Sequence, residues 1–257
     1  MCIILLAHLA SAQYPLMLAA NRDEFYERPT AQAHFWNDAG GTLAGRDIKR
    51  SGTWLGVTRT GRIAAITNYR EPGANREGAP SRGLLVSDFL AADLEPLEYL
   101  YGLSSAAALY NGFNLIVGTP GRLCYFSNRG GEPQEIPPGV HGLSNHLLDT
   151  PWPKVERGQR AFAGLLEQGE GKPCVEDIFK VLADDRRAPD EALPETGVGL
   201  ELERMLSPLF ITSPVYGTRS STVILFNRRR EVTFIERTFG PGSEQYSEAR
   251  FEFEIRS

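Results

Sequence analysis

The sequence of 257 residues predicts an α+β fold, and two observations indicate it. Short apolar runs that are typical of strands lie near the amino terminus, at residues 2–7 and 16–20, and near the carboxyl terminus, within residues 221–255. Stretches with helical spacing lie between them, mainly within residues 81–110 and 154–183. Strands and helices that are segregated in this way favour an α+β arrangement over a parallel sheet built from alternating βαβ units.

The first part of the chain predicts a β-hairpin that leads into a cluster of polar side chains. Residues 2–7 form an apolar run that is too short for a helix, and residues 11–15 supply a turn. Residues 16–20 then return as the partner strand. If the two strands are antiparallel, residues 21–23 leave the sheet at the edge where Cys2 enters it. A thiol, a guanidinium and a carboxylate would then converge.

Short strands punctuated by glycine follow the hairpin. They are predicted at residues 43–47, 53–58 and 62–67. Gly52 and Gly56 flank Trp54, where they indicate either a close approach of the backbone to a ligand or β-bulges, and we favour bulges. A polar loop rich in proline and glycine, residues 71–81, comes after Asn68 and is a candidate lid over a pocket.

Helical spacing and turn signals predict the remaining elements. Helices are predicted at residues 84–91, 96–103, 106–110, 154–168 and 174–183. Strands are predicted at residues 113–118, 122–127, 139–145, 221–227, 231–237 and 250–255. Residues 216–221 indicate a turn, and residues 184–200 a long surface loop near the pocket or at an oligomer contact. Two predicted strands lead into amides, Asn68 and Asn145, and both amides could reach the end of the sheet where Cys2 begins.

Composition excludes several classes of function. The net charge is −5 with both signs interspersed and no basic block, which argues against nucleic acid as a partner. No apolar run is long enough to span a bilayer, and the amino terminus lacks the basic and long apolar regions of a secretory signal. We therefore expect a cytoplasmic protein that forms a single domain over residues 1–257.

The spacing of cysteine and histidine predicts neither disulfides nor a metal site. The three cysteines are odd in number and far apart, which is typical of reduced thiols; they are Cys2, Cys124 and Cys174. The four histidines are scattered without a pair at metal-ligand spacing, and no cofactor-binding motif occurs, so we expect no metal and no cofactor. His141 and His146 lie near Asn145 and either line a pocket or are satisfied core residues.

Cys2 is a candidate nucleophile. A small second residue normally permits removal of the initiator methionine, so the mature chain would begin at Cys2 with a free α-amine. An α-amine has a reference pKa of about 7.7–8.0, so a neutral fraction exists at neutral pH to accept the thiol proton. Arg22 would lower the pKa of the thiol, and Asp23 would hold the α-amine by hydrogen bonds. The alternative is that Cys2 is a small buried hydrophobic residue.

Several short strings, taken in order along essentially the whole chain, carry a resemblance to a known family. They are Met1-Cys2, Asn21-Arg22-Asp23-Glu24, Ser51-Gly52-Thr53-Trp54-Leu55-Gly56, Ile66-Thr67-Asn68-Tyr69-Arg70, Gly142-Leu143-Ser144-Asn145 and Tyr216-Gly217-Thr218-Arg219-Ser220-Ser221-Thr222. In these strings the chain resembles the NRDE family, also called the Transport and Golgi organization protein 2 family. That family is in turn similar to the N-terminal-nucleophile hydrolases, in particular to the bile-salt hydrolase and penicillin V acylase group, which begin at a cysteine and cleave linear amides.

The resemblance implies a four-layer αββα fold with two stacked antiparallel sheets and the amino-terminal strand central. It also implies that Cys2 is both nucleophile and general base, with Arg22 and Asp23 beside it. The chain departs from the acylases in one respect, because Arg22 and Asp23 are adjacent, and adjacent residues of a regular strand point to opposite faces. Either a bulge turns one of them or only one points at Cys2.

Further roles come from the same resemblance. Asn68 and Asn145 would donate hydrogen bonds to the oxyanion that forms during acyl transfer. Arg219 would stabilise charge across the pocket. We also expect ligand contacts from four side chains: Asn21, Glu24, Trp54 and His146.

Two hypotheses for function remain open. The first is an N-terminal cysteine hydrolase or acyltransferase that acts on a linear amide or acyl bond through a thioester at Cys2. The second is a non-catalytic binding or trafficking protein, because eukaryotic members of the NRDE family are implicated in secretory-pathway organisation and haem movement. The ligand would then be haem, with His8, His141 or His146 as an axial ligand, or a lipid-like molecule. Both hypotheses require a small-molecule ligand or substrate, and a homo-oligomer is an open alternative to a monomer.

Overall fold

The structure is a computed structural model that describes residues 2–39, 41–168, 174–242 and 245–256. Within these residues the chain forms thirteen strands, five α-helices and two short 3-10 helices. The strands are β1 Cys2–His8, β2 Leu16–Phe25, β3 Thr30–Phe35, β4 Thr42–Asp47, β5 Leu55–Thr58, β6 Ile63–Asn68, β7 Phe113–Thr119, β8 Arg122–Ser127, β9 Gln134–Glu135, β10 Gly139–Leu143, β11 Tyr216–Phe226, β12 Glu231–Phe239 and β13 Tyr246–Glu254. The helices are α1 Arg82–Ala91, α2 Pro96–Ser104, α3 Pro153–Gln168, α4 Val175–Leu182 and α5 Leu200–Leu206, and the 3-10 helices are Ala107–Leu109 and Asp190–Ala192.

The strands form two antiparallel sheets. The first sheet has six strands in the order β10-β1-β2-β11-β12-β13. The second sheet has seven strands, β3 to β9, in which each strand pairs with its neighbours along the chain. β1 is an interior strand of the first sheet beside the edge strand β10, and β2 and β11 form its central pair.

The two sheets stack face to face, and the helices cover their outer faces. Both sheets contribute to one buried cluster between them, which contains Ile4 and Leu6 from the first sheet and Leu43 and Val57 from the second. Helices α3 and α4 cover the first sheet through another cluster, and α1 and α2 cover the second sheet through a third. The expected four-layer αββα architecture is therefore confirmed.

Burial on both faces explains the unbroken apolar run at the amino terminus. Ile4 and Leu6 of β1 face the second sheet, whereas Ile3 and Leu5 face α3 and α4. A strand buried on both faces carries no polar alternation. The register also fixes the site described below, because residue 2 of β1 lies directly opposite residue 22 of β2.

The helices have apolar inner faces of the kind that their spacing predicts. In α3, of 16 residues, Val155, Phe162 and Leu166 are buried against the first sheet, and Leu165 packs partly against the same cluster. Helices α1 and α2 lie where the helical spacing places them. In the part of the chain that the structure describes, no helix is long and apolar enough to cross a membrane.

Some predicted boundaries are wrong, and the errors lie in polar segments. Residues 21–23 do not leave the sheet, because β2 continues to Phe25 and pairs with β11. Residues 216–221 are therefore not a turn but the first half of β11. The predicted strand over residues 139–145 ends at Leu143.

Three further elements differ from the prediction. The predicted helix over residues 106–110 is a short 3-10 helix. The strand β3 and the helix α5 were not predicted, since neither has a clear apolar pattern. The loop over residues 184–200 contains the 3-10 helix Asp190–Ala192 and ends where α5 begins.

Candidate active site

A cavity of about 220 Å³ opens where the amino end of β1 meets the carboxyl end of β6 and the amino end of α1. Cys2, Asn68 and Arg82 line it from these three elements, and Cys2 is half-buried. Because β1 belongs to the first sheet and β6 to the second, the cavity lies at the joint between the two sheets.

Cys2 and Arg22 share one face of the first sheet. They are partners in the antiparallel register of β1 and β2, and paired residues project to the same side of a sheet. The guanidinium of Arg22 lies 4.2 Å from the ring centroid of Trp54 and 3.8 Å from a carboxylate oxygen of Glu24. All four residues line the cavity. The structure thus brings four of the expected site residues together.

The carboxylate of Asp23 lies on the opposite face of β2 from Arg22. Thr218, its register partner in β11, donates a hydrogen bond from Oγ1 to Oδ1 of Asp23 at 2.7 Å. β2 pairs regularly with β1, and the irregularity falls in β11 at Arg219, between Thr218 and Ser220. Of the two alternatives, only Arg22 shares the face of Cys2. Asp23 lines the cavity one position beyond the partner of Cys2, beside the amino end of β1.

Burial has the largest effect on the pKa of the Cys2 thiol. It raises the pKa of the thiol above its ordinary value, whereas the backbone N–H of Asp23 and the charge of Arg22 lower that pKa. The charge of Arg22 therefore lowers the pKa of the thiol as expected, but burial has the larger effect and the pKa is raised overall. A thiol with a raised pKa is protonated at neutral pH, so it needs a base before it can attack.

A buried lysine stands near Asp23 on the helix-facing side. Burial raises the pKa of Asp23, while Lys154 and the hydroxyl of Thr218 lower it. Lys154 of α3 is itself buried, which lowers its pKa to about 8, and its ammonium donates a hydrogen bond to the carbonyl of Leu206 at 3.1 Å. Lys154 was not identified from the sequence, where it is one of many helical lysines and arginines.

The two asparagines have different environments. The side chain of Asn68 is exposed at the end of β6 and lines the cavity. Asn145 is fully buried, and its Nδ2 donates a hydrogen bond to the backbone carbonyl of Asn68 at 2.9 Å. Ser144 donates a hydrogen bond from Oγ to the carbonyl of Cys2 at 3.0 Å. Asn68 thus faces the cavity, whereas Asn145 holds the segment that carries Asn68.

Arg219 and Asn21 point away from this cavity. Arg219 donates hydrogen bonds from Nη1 to the carbonyls of Phe25 and Tyr26, at 2.9 and 3.1 Å. Asn21 faces the helices, where its Nδ2 donates to the carbonyls of Leu182 and Leu209, at 2.8 Å each. The side chain of Asn21 also accepts a hydrogen bond from Ser221 at 2.6 Å. These contacts tie β2 and β11 to their neighbours.

His8, His141 and His146 each have Nδ1 in contact with a neighbouring polar group. His146 packs against the rings of Tyr69 and Trp152 outside the cavity, and its Nδ1 lies 2.9 Å from Oγ1 of Thr150. Nδ1 and Nε2 of His141 lie 2.7 and 2.9 Å from Asp149 and from the carbonyl of Pro137. Nδ1 of His8 lies 3.1 Å from the carbonyl of Ile136. Among residues 2–39, 41–168, 174–242 and 245–256, no cluster of three or more potential metal ligands occurs.

Several arginines of the cavity were not identified from the sequence. They are Arg28, Arg50, Arg76 and Arg82. Arg82 could have been identified from its position, because it is the first residue of α1. The helix dipole favours acidic side chains there, so a basic one is unexpected and indicates another role. The loop of residues 71–81 lines the cavity through Arg76, Ala79 and Pro80, so the candidate lid lies at the cavity mouth.

Gly52 determines where α1 begins. It has a φ of +76°, and a Cβ atom at this position would lie 2.5 Å from the backbone of Gly83. The N–H of Thr53 also donates to the carbonyl of Gly83 at 3.1 Å. At Gly52 the structure therefore has a close approach between two backbones, where we expected a β-bulge. This contact places the start of α1, and therefore Arg82, at the cavity.

Comparison with known proteins identifies relatives along the whole chain. Residues 1–241 match the family model described as Transport and Golgi organisation 2. The chain is 39% identical to the Transport and Golgi organization protein 2 homologs of Bos taurus and Homo sapiens, over 95% of this chain and 94% of each relative. It is 29% identical to Transport and Golgi organization protein 2 of Drosophila melanogaster, over 93% of this chain and 92% of that protein.

Solved structures show the same fold at low sequence identity. A variant of the conjugated bile acid hydrolase from Clostridium perfringens superposes with a TM-score of 0.54 and 10% identity, over 99% of this chain and 97% of that chain. A second mutant of that hydrolase gives a TM-score of 0.52 and 9% identity, over 100% of this chain and 97% of that chain. The chain therefore shares the fold of that hydrolase, with two stacked antiparallel sheets between layers of helices.

Proposed function

The chain belongs to the Transport and Golgi organisation 2 family, and we propose that it is an N-terminal cysteine hydrolase or acyltransferase that acts on a linear amide or acyl bond. The observation that carries the proposal is the placement of Cys2. Its thiol lies at the start of a strand, beside Arg22, in a cavity with an opening to solvent. A cysteine with only a packing role is expected to be surrounded by apolar side chains, whereas Cys2 lines a cavity together with the guanidinium of Arg22.

The raised pKa of the Cys2 thiol makes a general base necessary, and the α-amine of a chain that begins at Cys2 supplies one. Such an amine would lie beside Asp23, which is one position beyond the partner of Cys2. A buried carboxylate there favours the ammonium form that results when the amine accepts the thiol proton. Removal of Met1, which lies outside the described residues, is a condition of the proposal.

In the acylation step the sulfur attacks the carbonyl carbon of the substrate while the α-amine accepts the thiol proton. A tetrahedral oxyanion forms, the bond from carbon to the leaving nitrogen breaks, and the ammonium gives its proton to that nitrogen. The acyl group remains on Cys2 as a thioester. Water then attacks the thioester, the α-amine accepts one of its protons, and the carboxylic acid leaves as the sulfur regains a proton. An amine in place of water completes acyl transfer.

The oxyanion needs hydrogen-bond donors, and Asn68 is the donor that the cavity favours. Its side chain is exposed to the cavity at the end of β6, whereas Asn145 is committed to the carbonyl of Asn68. We therefore give Asn145 a positioning role. Arg219 has a similar role in the fold, because its guanidinium is bound to backbone carbonyls.

Steady-state kinetics with a panel of linear N-acyl amides and acyl thioesters tests the proposal. We expect the protein to release free acid from at least one class of substrate, and Cys2→Ala to remove that activity entirely. Cys2→Ser retains a hydroxyl nucleophile and should keep a small residual rate. Equal turnover by the native protein and Cys2→Ala, or no turnover of any substrate, would refute the proposal.

A further inference from the structure

We propose that the substrate carries an anionic oxygen group, a carboxylate or a phosphate, which Arg50, Arg76 and Arg82 bind in the cavity that contains Cys2. This inference rests on the proposed function and specifies its substrate class. Nothing in the reaction itself requires an anionic substrate, so the arginines need a separate explanation.

The lining of the cavity is more cationic than its own carboxylates can neutralise. Among the residues that the structure describes, five arginines line it, against the three carboxylates of Asp23, Glu24 and Asp47. The chain as a whole has a net charge of −5, so this excess of positive charge is local. A concave site lined by one sign of charge attracts ligands of the opposite sign.

Two of the five arginines form ion pairs with carboxylates of the cavity. Arg28 lies 2.6 Å from a carboxylate oxygen of Asp47, and Arg22 lies 3.8 Å from one of Glu24. The other three arginines form no ion pair within the residues that the structure describes; they are Arg50, Arg76 and Arg82. Their charges are available to a ligand.

Neutral backbone carbonyls hold these three guanidinium groups in place. Arg82 donates to the carbonyl of Gly112 at 2.8 Å, and Arg76 donates to that of Ala108 at 2.5 Å. Arg50 donates more weakly to the carbonyl of Ala79, at 3.4 Å. A carbonyl orients a guanidinium without neutralising its charge, and each guanidinium keeps further N–H donors. Such donors match the paired oxygens of a carboxylate or a phosphate.

The three arginines differ in their depth within the cavity. Arg50 and Arg76 are exposed, whereas Arg82 is half-buried. Arg82 therefore lies deepest of the three in the cavity that Cys2 also lines. The loop of residues 71–81 carries Arg76, so an anion bound there would also draw this loop to the cavity.

Binding measurements on Cys2→Ala test the inference without turnover. Calorimetry would compare matched amides, in which one member of each pair carries an anionic group that the other lacks: hexanoylglycine with hexanoylglycinamide, hexanoyl-O-phosphoethanolamine with hexanoylethanolamine, and adipic monoamide with hexanamide. We expect the anionic member of at least one pair to bind about tenfold more tightly. The first two pairs distinguish a carboxylate from a phosphate on the amine side, and the third tests an anion on the acyl side.

Variants made in the Cys2→Ala background assign the effect to the arginines. The double variant Arg50→Gln with Arg76→Gln should reduce the anionic preference, and the triple variant that adds Arg82→Gln should reduce it to near one. Higher salt should reduce the preference in the parent, because the charges of Arg50 and Arg76 are exposed. Arg250→Gln removes an exposed arginine of β13 that pairs with Glu252, and it should leave the preference unchanged.

The outcomes separate the two claims. Equal affinity within every pair would overturn the inference, even if the native protein turns over neutral amides. A preference that survives the triple variant would overturn the assignment to these arginines. Failure of the proposed function would appear differently, as an absence of Cys2-dependent turnover for every substrate, whatever the binding preference.

Discussion

The side chains of Cys2 and Arg22 project from the same face of one sheet, because the two residues are directly opposite in the antiparallel strands β1 and β2. The guanidinium is therefore placed beside the sulfur by backbone register and not by a loop. The guanidinium of Arg22 also lies 4.2 Å from the ring centroid of Trp54, which directly precedes strand β5 of the second sheet. The geometry around the sulfur thus depends on both sheets.

The first prediction concerns the charge of Arg22. Because this charge lowers the pKa of the Cys2 thiol, Arg22→Gln should raise that pKa further. The rate of thiol alkylation by iodoacetamide, measured against pH, reports the shift. Arg46→Gln removes a guanidinium that pairs with Asp38 away from the cavity, and it should leave the profile unchanged. An identical profile for the native protein and Arg22→Gln would show that the guanidinium does not act on the sulfur.

The second prediction separates the two asparagines. Asn68→Ala should lower kcat by about 10²–10³ with little change in stability, as expected for loss of an oxyanion donor. Asn145→Ala should lower the free energy of unfolding by about 1–3 kcal/mol, because it removes a fully buried amide that donates to the carbonyl of Asn68. Kinetics and urea unfolding of both variants check this division. Equal losses of stability in the two variants would contradict it.

The third prediction concerns pH and Glu236. This carboxyl is buried between the sheets, where it accepts hydrogen bonds from the N–H of Ala33 and from Thr222, and burial raises its pKa from 4.5 to about 7. The folded state therefore binds the proton more tightly than the unfolded state does. The contribution of Glu236 to stability is complete below pH 4.5 and is lost as the pH rises through about 7, by about 3 kcal/mol in total.

Glu236→Gln keeps a neutral side chain at every pH and provides the control for this effect. Its free energy of unfolding should exceed that of the native protein at pH 8 and approach it at pH 4.5. Urea unfolding of both proteins across that range gives the difference directly. A difference that does not change with pH would mean that Glu236 titrates normally in the folded protein.

The fourth prediction concerns the close approach at Gly52. Gly52→Ala combines a positive φ with a Cβ only 2.5 Å from the backbone of Gly83, so it should cost about 2–4 kcal/mol of stability. Gly73→Ala is a matched control, because Gly73 has a φ of +77° and no atom within 4 Å of the added Cβ. The thermal midpoint of the Gly52 variant should be clearly the lower of the two. Similar midpoints would show that only φ strain matters.

The sequence predicts those elements whose pattern lies within the element itself, and it does not predict those that depend on residues far away in the chain. The hairpin of β1 and β2 and the helices α1 to α4 were identified because their residues are apolar in a strand or helix pattern. The polar residues in the first half of β11 predict a turn. It is a strand because Thr218 and Ser221 pair with Asp23 and Asn21 across the sheet, and such distant partners leave no local pattern.

The same limit applies to the candidate site. The chain start and the string at residues 21–24 pointed to Cys2 and Arg22, which the structure brings together. Arg82 belongs to the site because Gly52 and Gly83 fix the start of α1 at the cavity. That contact joins two segments that are separate in sequence, and no spacing within either one predicts it.

The central claim is that Cys2 carries the acyl group through an adjacent free α-amine. Intact-mass spectrometry after brief incubation with an acyl thioester tests it most directly, using the native chain, Cys2→Ala, and a chain with one lysine inserted between Met1 and Cys2, so that the methionine is retained. We predict loss of Met1 and one acyl adduct in the native chain alone. An adduct of equal yield in Cys2→Ala or in the lysine-inserted chain, or none in a native chain that has lost Met1, would contradict the account.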